Sequence, residues 1–241
     1  MREKVTMSWS GGKDASFALY RVLTGNEYEV VGLHTTFDKA TRRVGLHGVD
    51  ESLIEEQAKS IGLPLTKLYL ESSEHHGNYE RLMTDFYRRS ARAGVKGVVF
   101  GDIFLEDLKQ YREQLLRPSG LFPVFPLWGI DTRLLVEDFI NSGFKAKICS
   151  ANAGLFAESS IGAEIDRHFL DGLAEGIDPC GENGEFHTFV FDGPIFKDPL
   201  HVHAGAVEKH GYTYRRKNGD GTTENLERAF WFQDFSLLTV S

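Results

Sequence analysis

The chain has 241 residues, of which 41% are hydrophobic and 12% aromatic, enough to fill a substantial core. Its formal net charge is −8 at pH 7, which argues against broad nucleic-acid binding through a basic face. Two cysteines, Cys149 and Cys180, are too few for a disulfide scaffold or a four-cysteine zinc site, and we expect a cytoplasmic protein. No apolar run approaches 20 residues, so neither membrane insertion nor export is expected.

The first half alternates short apolar runs with amphipathic segments, a pattern typical of a parallel sheet covered by helices. Strands are predicted at Val5–Trp9, Tyr28–Thr36, Leu65–Leu70 and Gly97–Phe100, and helices at Ala15–Leu23, Val49–Ile61, Asn78–Ala93 and Glu106–Leu115. The pattern therefore predicts an α/β fold in which ligands bind at the carboxyl ends of the strands.

Beyond the proline-flanked segment Phe122–Pro126 the pattern changes to a mixture of helices and strands. Helices are predicted at Asp131–Asn141 and Glu164–Leu173, a strand at Lys145–Ser150, and a hairpin tip at Lys217–Gly221. We therefore predict two domains, one over residues 1–122 and a smaller α+β domain over residues 123–241.

Residues Ser10-Gly11-Gly12-Lys13-Asp14 lie between the first predicted strand and the first predicted helix. The two glycines let backbone N–H groups approach an anion, the helix N-terminus adds partial positive charge, and Lys13 adds a full charge. Asp14 beside phosphates is repulsive unless it holds Mg²⁺ or caps the helix. The segment predicts a phosphate site at Ser10, Gly11, Gly12 and Lys13, with Asp14 as a magnesium ligand.

This loop matches neither the kinase-type nor the dinucleotide-binding glycine pattern. It resembles the Ser-Gly-Gly-x-Asp-Ser loop of the PP-loop ATP pyrophosphatases, which implies that it binds the β,γ-pyrophosphate of ATP. Ala15 replaces the family's serine, which removes a hydroxyl contact of about 1 kcal/mol. Ser16 is a further candidate contact, although it points roughly 100° away from Ala15 around a helix. Adenine is expected at the end of the second strand, at Leu33, His34 and Thr35.

Asp102 follows Gly101 where the fourth predicted strand ends. Gly101 implies a close backbone approach, and Asp102 is a candidate Mg²⁺ ligand or, alternatively, the cap of a helix that begins near Leu105. Arg112 either binds a phosphate or carboxylate or lies on a solvated helix face. His47-Gly48, which follows the basic loop at Arg42-Arg43, either closes over the nucleotide or belongs to a mobile surface loop.

The segment Cys180–Thr188 places two acids, a histidine and two glycines among nine residues. Glu182, Glu185 and His187 are candidate catalytic residues, with a purely structural role as the alternative for His187. The two cysteines lie outside any Cys-x-x-Cys motif and are interpreted as buried structural residues. The nine histidines lack acidic partners at zinc spacing, so no zinc site is predicted.

The motif Gly-Glu-x-Gly-Glu-Phe-x-Thr in this segment, with Ser-Gly-Gly-Lys-Asp and Gly-Asp-Ile, is similar to that of the diphthine–ammonia ligase family of ATP pyrophosphatases. Four further runs match that family, and the resemblance spans nearly the whole chain: Gly101–Asp107, Tyr111–Glu113, Phe125–Gly129 and Asp192–Phe196. It implies a HUP-like (Rossmann-like) ATP-binding domain followed by a family-specific domain that carries Glu182, Glu185 and His187 on the substrate side.

The resemblance implies an ATP-dependent ligase that adenylates a carboxylate, releases pyrophosphate and adds ammonia. Asp14 and Asp102 would hold Mg²⁺ next to the phosphates. The acceptor would be diphthine on elongation factor 2 in an archaeon or eukaryote, and another carboxylate elsewhere. Two alternatives stay open: an ATP pyrophosphatase acting on a different small molecule or RNA, and an ATP-binding sensor that does not turn over. A homodimer is compatible with the sequence.

Overall fold

A parallel five-stranded sheet, described by a computed structural model, forms the first half of the chain. The structure describes residues 2–71, 76–217 and 223–238. Strand order is β3-β2-β1-β4-β5, and every pairing is parallel. The strands are β1 (Glu3–Ser8), β2 (Tyr28–Asp38), β3 (Leu65–Leu70), β4 (Gly97–Val99) and β5 (Phe122–Val124), and the helices that connect them are α1 (Lys13–Gly25), α2 (Glu51–Ile61), α3 (His76–Arg92) and α4 (Glu106–Leu116).

β1 lies at the centre of this sheet, where the chain winds towards β2 on one side and β4 on the other. Val5 and Met7 of β1 are fully buried, as expected for a strand that helices cover on both faces. Ligands of open α/β sheets bind where the winding direction changes, outside the carboxyl ends of the strands. The loop after β1 therefore occupies the favoured ligand position of the fold.

The second half contains an antiparallel four-stranded sheet of order β7-β6-β9-β8. Its strands are β6 (Lys145–Asn152), β7 (Phe186–Asp192), β8 (Val202–Lys217) and β9 (Thr223–Leu237), and its helices are α5 (Thr132–Asn141) and α6 (Arg167–Asp171). The α/β architecture with a second α+β part agrees with the sequence-based prediction. Within the described ranges, no helix combines the length and apolarity needed to cross a membrane.

The two sheets share one continuous hydrophobic core. Phe17 of α1 packs edge-on against Phe139 and Phe144 of the second half, with ring centroids 6.0 Å apart in each case. The backbone N–H of Val190 in β7 donates to the carbonyl oxygen of Gly11, over 2.9 Å. β7 is therefore fixed directly against the loop that follows β1.

One predicted helix differs from the structure, the predicted domain boundary falls within a strand, and a predicted hairpin tip lies largely outside the described residues. The helix predicted at Glu164–Leu173 shrinks to Arg167–Asp171, because the chain before it pairs with β6 through the Lys147–Glu164 bridge. Residues 122 and 123 lie inside β5, so the predicted domain boundary cuts a strand of the first sheet, and the division into two domains stays a prediction. The hairpin tip predicted at Lys217–Gly221 falls largely outside the described residues, although β8 and β9 pair as far as Lys217 and Thr223.

Candidate active site

A cavity of about 560 Å³ opens at the carboxyl ends of β1, β2 and β4. Both halves of the chain contribute to its walls, because the segment before β7 and the start of β7 face the loop after β1. Residues predicted from the sequence that line this cavity are Ser10, Lys13, Asp14, His34, Thr35, Gly101, Asp102, Glu182 and His187. The fold thus gathers side chains that lie up to 177 positions apart in the sequence.

Neither Gly11 nor Gly12, in the loop after β1, has room for a Cβ atom. Gly11 has a φ of +80°, and a Cβ there would lie 2.6 Å from Ile54 Cδ1 and 2.7 Å from Gln57 Oε1. A Cβ on Gly12 would lie 3.0 Å from the carbonyl oxygen of Thr188. Any larger residue would push the loop away from α2 or β7.

Gln57 of α2 fixes the loop from behind, a role that the sequence analysis missed. Its side-chain amide donates to the carbonyl oxygens of Gly11 (3.0 Å) and Val190 (2.7 Å), and its Oε1 accepts from Trp9 Nε1 (3.0 Å). Gln57 is fully buried. A glutamine on an amphipathic helix carries no local sign of this task, because its three partners come from β7 and from the end of β1.

Lys13 is the first residue of α1 and is only 3% exposed. Its backbone N–H donates to Thr188 Oγ1 over 2.9 Å, and its Nζ bonds both Asp14 carboxylate oxygens at 2.7 and 2.8 Å and the carbonyl oxygen of Cys180. Burial disfavours the ammonium, but the charges of Asp14 and its neighbours outweigh burial, so the pKa of Lys13 lies above its ordinary value. Lys13 is therefore a buried, permanently charged cation at a helix N-terminus.

Asp14 lies in the first turn of α1, and the N-cap is Gly12 without a side-chain cap bond. The helix-capping alternative for Asp14 is therefore wrong. Burial raises the pKa of Asp14 against the opposing charge of Lys13. A Cβ on Gly101 would lie 2.9 Å from the Asp14 carbonyl carbon and from Ala15 N, so the end of β4 touches this first turn.

Asp102 is 8% exposed and lines the cavity instead of capping a helix, since the N-cap of α4 is Leu105. Its Oδ2 lies 3.6 Å from Arg112 Nε. Burial raises the pKa of Asp102, and the charge of Arg112 opposes that rise. Arg112 also lines the cavity and bonds the Tyr79 hydroxyl at 3.3 Å, so the solvated-face alternative for Arg112 is wrong.

Glu182 reaches across the cavity from the second half of the chain. Its Oε1 accepts from the backbone N–H of Ile103 over 3.0 Å. Burial raises the pKa of Glu182 to about 7; the bond from Ile103 opposes the rise, and the negative charges of Asp14 and Asp102 add to it. Asp14 and Asp102 therefore disfavour the ionisation of Glu182 at the same cavity, an arrangement that a cation would relieve.

Asp14 and Asp102 fit the way Mg²⁺ is bound beside nucleotides. Mg²⁺ prefers oxygen ligands and takes one or two carboxylates together with phosphate oxygens and water. Within the described residues no group of three or more histidine, cysteine or acidic side chains is arranged to hold a metal by itself. The donor set is therefore suited to a magnesium–nucleotide complex and not to an all-protein metal cage.

His47 and His187 lie next to each other at the cavity wall, with ring centroids 4.7 Å apart and the ring planes tilted by 38°. His47 Nδ1 lies 3.2 Å from the carbonyl oxygen of Thr188. Burial lowers the pKa of His47 to about 4 and that of His187 well below its ordinary value, and the charge of Lys13 contributes in both cases. Both rings are neutral near pH 7, and the loop that carries His47 lies against the cavity, while its closure over a nucleotide stays a prediction.

Two protein-family models match this chain. The N-terminal domain model of diphthamide synthase matches residues 3–123, and its C-terminal domain model matches residues 131–219. The chain belongs to the diphthamide synthase family. Membership makes it an enzyme, a ligase that forms a carbon–nitrogen bond.

Several relatives carry the name diphthine–ammonia ligase. The protein of that name from Danio rerio is 29% identical over 225 residues, covering 83% of this chain and 87% of the relative. The Homo sapiens protein is 26% identical over 229 residues, covering 83% of each chain. Among solved structures, the U34-tRNA thiolase NcsA from Methanococcus maripaludis is 14% identical with a TM-score of 0.37 over 58% of each chain, a likeness too low to carry an argument.

Five residues predicted for the site do not line the cavity in this family member: Gly11, Gly12, Ser16, Leu33 and Glu185. The glycines shape the loop from beneath, as described above. Ser16 and Leu33 are buried, and Ser16 Oγ has no hydrogen-bond partner among the described residues. Glu185 turns inward, where its Oε1 accepts from Asp178 N and Asn183 Nδ2, both at 3.1 Å, so its contacts are those of a residue that holds the turn.

Asp178 and Thr188 also shape the site without having been predicted. Asp178 Oδ1 accepts from the backbone N–H groups of Cys180 (2.9 Å) and Glu182 (3.2 Å), which orients the turn that carries Glu182. Thr188 belongs to the family motif, and that motif was the one sign in the sequence that this residue could matter. Its bond to the backbone N–H of Lys13 depends on how β7 packs. Cys149 and Cys180 are both buried free thiols, as interpreted from the sequence.

Proposed function

We propose that the protein adenylates a carboxylate with ATP, releases pyrophosphate and passes the acyl group to ammonia. The observation that supports this best is the placement of buried Lys13, at the first residue of α1, in one cavity with Asp14, Asp102 and Glu182. A helix N-terminus with a buried cation binds phosphates, and carboxylates at its rim suit the accompanying metal.

In the first step, a carboxylate oxygen of the acceptor attacks the α-phosphorus of ATP, and the bond from that phosphorus to the pyrophosphate oxygen breaks. Pyrophosphate leaves with the bonding electrons at the N-terminus of α1, where N–H groups and Lys13 stabilise the charge that builds up. Lys13 Nζ exchanges its present bonds to Asp14 and the Cys180 carbonyl for phosphate oxygens. Mg²⁺ held by Asp14 and Asp102 would supply further positive charge beside the phosphates.

In the second step, the nitrogen of ammonia attacks the acyl carbon, the carbon–oxygen bond to AMP breaks, and the nitrogen loses a proton as the amide forms. His187 and Glu182 lie on the cavity wall contributed by the second half of the chain. Glu182, whose pKa burial raises to about 7, is suited to accept that proton, whereas burial and the charge of Lys13 lower the pKa of His187 and leave it as a neutral ring beside the acceptor. We place the acceptor on this side of the cavity.

The name of the relatives, diphthine–ammonia ligase, supports a proposal for the acceptor. We propose diphthine on elongation factor 2 as the acceptor in an organism that makes diphthamide, and another carboxylate, on a small molecule or RNA, in one that does not. Elongation factor 2 carrying diphthine is therefore the first acceptor to test.

Product analysis by phosphorus NMR tests the chemistry. With ATP, Mg²⁺, ammonium and acceptor, AMP and pyrophosphate are expected in equal amounts, and ADP with inorganic phosphate would contradict the proposal. Lys13→Ala should reduce pyrophosphate release at least a hundredfold, because it removes the cation that stabilises the leaving group. Lys59→Ala, an exposed cation of α2 outside the cavity, should leave the rate unchanged.

A second candidate, an ATP-binding sensor without turnover, is favoured by one observation. Ala15 lines the cavity and presents a methyl group where the PP-loop pattern has a hydroxyl. Calorimetric titration alongside the pyrophosphate assay separates the two: tight ATP binding with no product over hours supports the sensor, and turnover excludes it.

A further inference from the structure

The hydrogen bonds around Thr6 determine which nitrogen of His34 carries the proton. Thr6 Oγ1 donates to the carbonyl oxygen of Gly32 over 3.0 Å and lies 3.3 Å from His34 Nδ1. A hydroxyl has one hydrogen, which this bond to Gly32 uses, so towards His34 it can only accept. His34 Nδ1 must therefore be the protonated, donating nitrogen.

The imidazole of His34 is neutral, which leaves its other nitrogen without a proton. Burial, together with the nearby charge of Arg112, lowers the pKa of His34 to about 3. With Nδ1 protonated, Nε2 is a bare acceptor. Nε2 is buried and has no hydrogen-bond partner among the described residues, and His34, which is 2% exposed, lines the cavity.

A buried acceptor without a donor costs about 1 to 3 kcal/mol, so its presence in a ligand cavity points to a ligand that donates there. Aromatic rings pack against His34, and Arg112 lies near enough for its charge to act on the imidazole. The centroid of the His34 ring lies 4.6 Å from that of Phe86 and 5.8 Å from that of Tyr87, and Met83, Phe100 and Leu70 line the same cavity. A bare acceptor beside aromatic rings suits a planar base with an amino group better than it suits a phosphate or a ribose.

We propose that His34 Nε2 accepts a hydrogen bond from the exocyclic 6-amino group of adenine and thereby selects ATP over 6-oxopurine nucleotides. This selection rests on the proposed function, which places the triphosphate at Lys13. Inosine and guanine nucleotides carry a carbonyl oxygen at that position, which would set an acceptor against an acceptor. Thr6 is then a positioning residue, because its hydroxyl holds the proton on Nδ1 and keeps Nε2 free to accept.

Dissociation constants of ATP and ITP test the assignment, since the two nucleotides differ only in the base. The wild-type protein should bind ATP ten- to a hundredfold more tightly than ITP. His34→Leu should bring the two constants within about threefold, mainly by weakening ATP. Thr6→Val, which frees the proton to move to Nε2, should reduce or invert the preference, and Thr6→Ser, which keeps the hydroxyl, should retain it.

Equal binding of ATP and ITP by the wild-type protein would overturn the inference, as would an unchanged preference in His34→Leu. A large loss of affinity for 2′-deoxy-ATP together with tight ITP binding would assign Nε2 to the ribose instead. Failure of the wild-type protein to bind ATP at all would count against the proposed function. If the variants do not fold, nitrogen-15 NMR of the wild-type protein decides, because an Nε2-protonated His34 would refute the argument.

Discussion

Removing the charge of Glu182 should stabilise the protein in a pH-dependent way. Glu182→Gln keeps an oxygen that can accept from the backbone N–H of Ile103, which lies 3.0 Å from Oε1 in the native chain. It abolishes the carboxylate that burial and two acidic neighbours disfavour. The substitution is nearly isosteric, so the change in stability should report the electrostatic cost alone.

The magnitude follows from the pKa of Glu182, which burial raises from 4.5 to about 7. At 1.36 kcal/mol for each pKa unit, the upper limit is about 3 kcal/mol. Glu182 is only partly buried, and solvent screening reduces the expected gain to about 1 to 2 kcal/mol. For a chain of this size such a gain raises Tm by roughly 2 to 8 °C.

The sign follows from proton linkage. Because the folded-state pKa lies above the ordinary value, the folded protein holds this proton more tightly than the unfolded chain, so wild-type stability falls as pH rises from about 4.5 to 7. Glutamine does not titrate. The advantage of Glu182→Gln should therefore be complete at pH 8 and absent near pH 4.5.

Thermal unfolding followed by circular dichroism at both pH values, at equal ionic strength, measures the effect. Glu27→Gln removes an exposed charge and controls for the change in net charge. An equal gain at both pH values, or a loss at pH 8, would refute the electrostatic reasoning and would indicate that Glu182 acts mainly through its hydrogen bond.

Three further outcomes follow from the packing of the phosphate loop. Gly101→Ala should lower Tm and weaken ATP binding severalfold, because its Cβ would lie 2.9 Å from Ala15 N, whereas Gly25→Ala, with open space around it, should be neutral or slightly stabilising by unfolding measurements. Gln57→Leu should cost about 2 to 4 kcal/mol in denaturant unfolding, since the buried Val190 carbonyl and Trp9 Nε1 lose their bonds to Gln57 and the Gly11 carbonyl keeps only its bond from Val190 N; a loss below 1 kcal/mol would contradict its bridging role. Ala15→Ser should tighten ATP binding about three- to tenfold by calorimetry, and an unchanged affinity would mean that the missing hydroxyl is irrelevant.

Local sequence signals predicted the first half of the fold well, because the short apolar runs of the strands and the amphipathic segments of the helices alternate visibly along the chain. Asp50 caps α2, and Gly62 ends it in the left-handed conformation that glycine favours, directly after Ile61, where the predicted helix ends. The prediction failed at α6. The residues before α6 have helical periodicity, but their backbone groups pair with β6: Ile165 N donates to the carbonyl oxygen of Ala146. A long-range partner outcompeted local propensity there.

The candidate site divides in the same way. Lys13, Asp14, Asp102 and Glu182 were found because glycine-rich motifs at strand ends are visible in the sequence, and all four line one cavity. Gln57 was not predicted, because its bond to the Val190 carbonyl exists only when β7 packs beside α2.

The sequence by itself determined the phosphate loop, the alternation of strands and helices, and the family, because each depends on residue types at short spacing. Tertiary structure alone decided that Thr188 meets the backbone of Lys13 and that the Thr6 hydroxyl lies 3.3 Å from His34 Nδ1. Those contacts join residues 175 and 28 positions apart. Their distances and angles follow from how the two sheets pack and how β1 and β2 align, and no local pattern encodes that geometry.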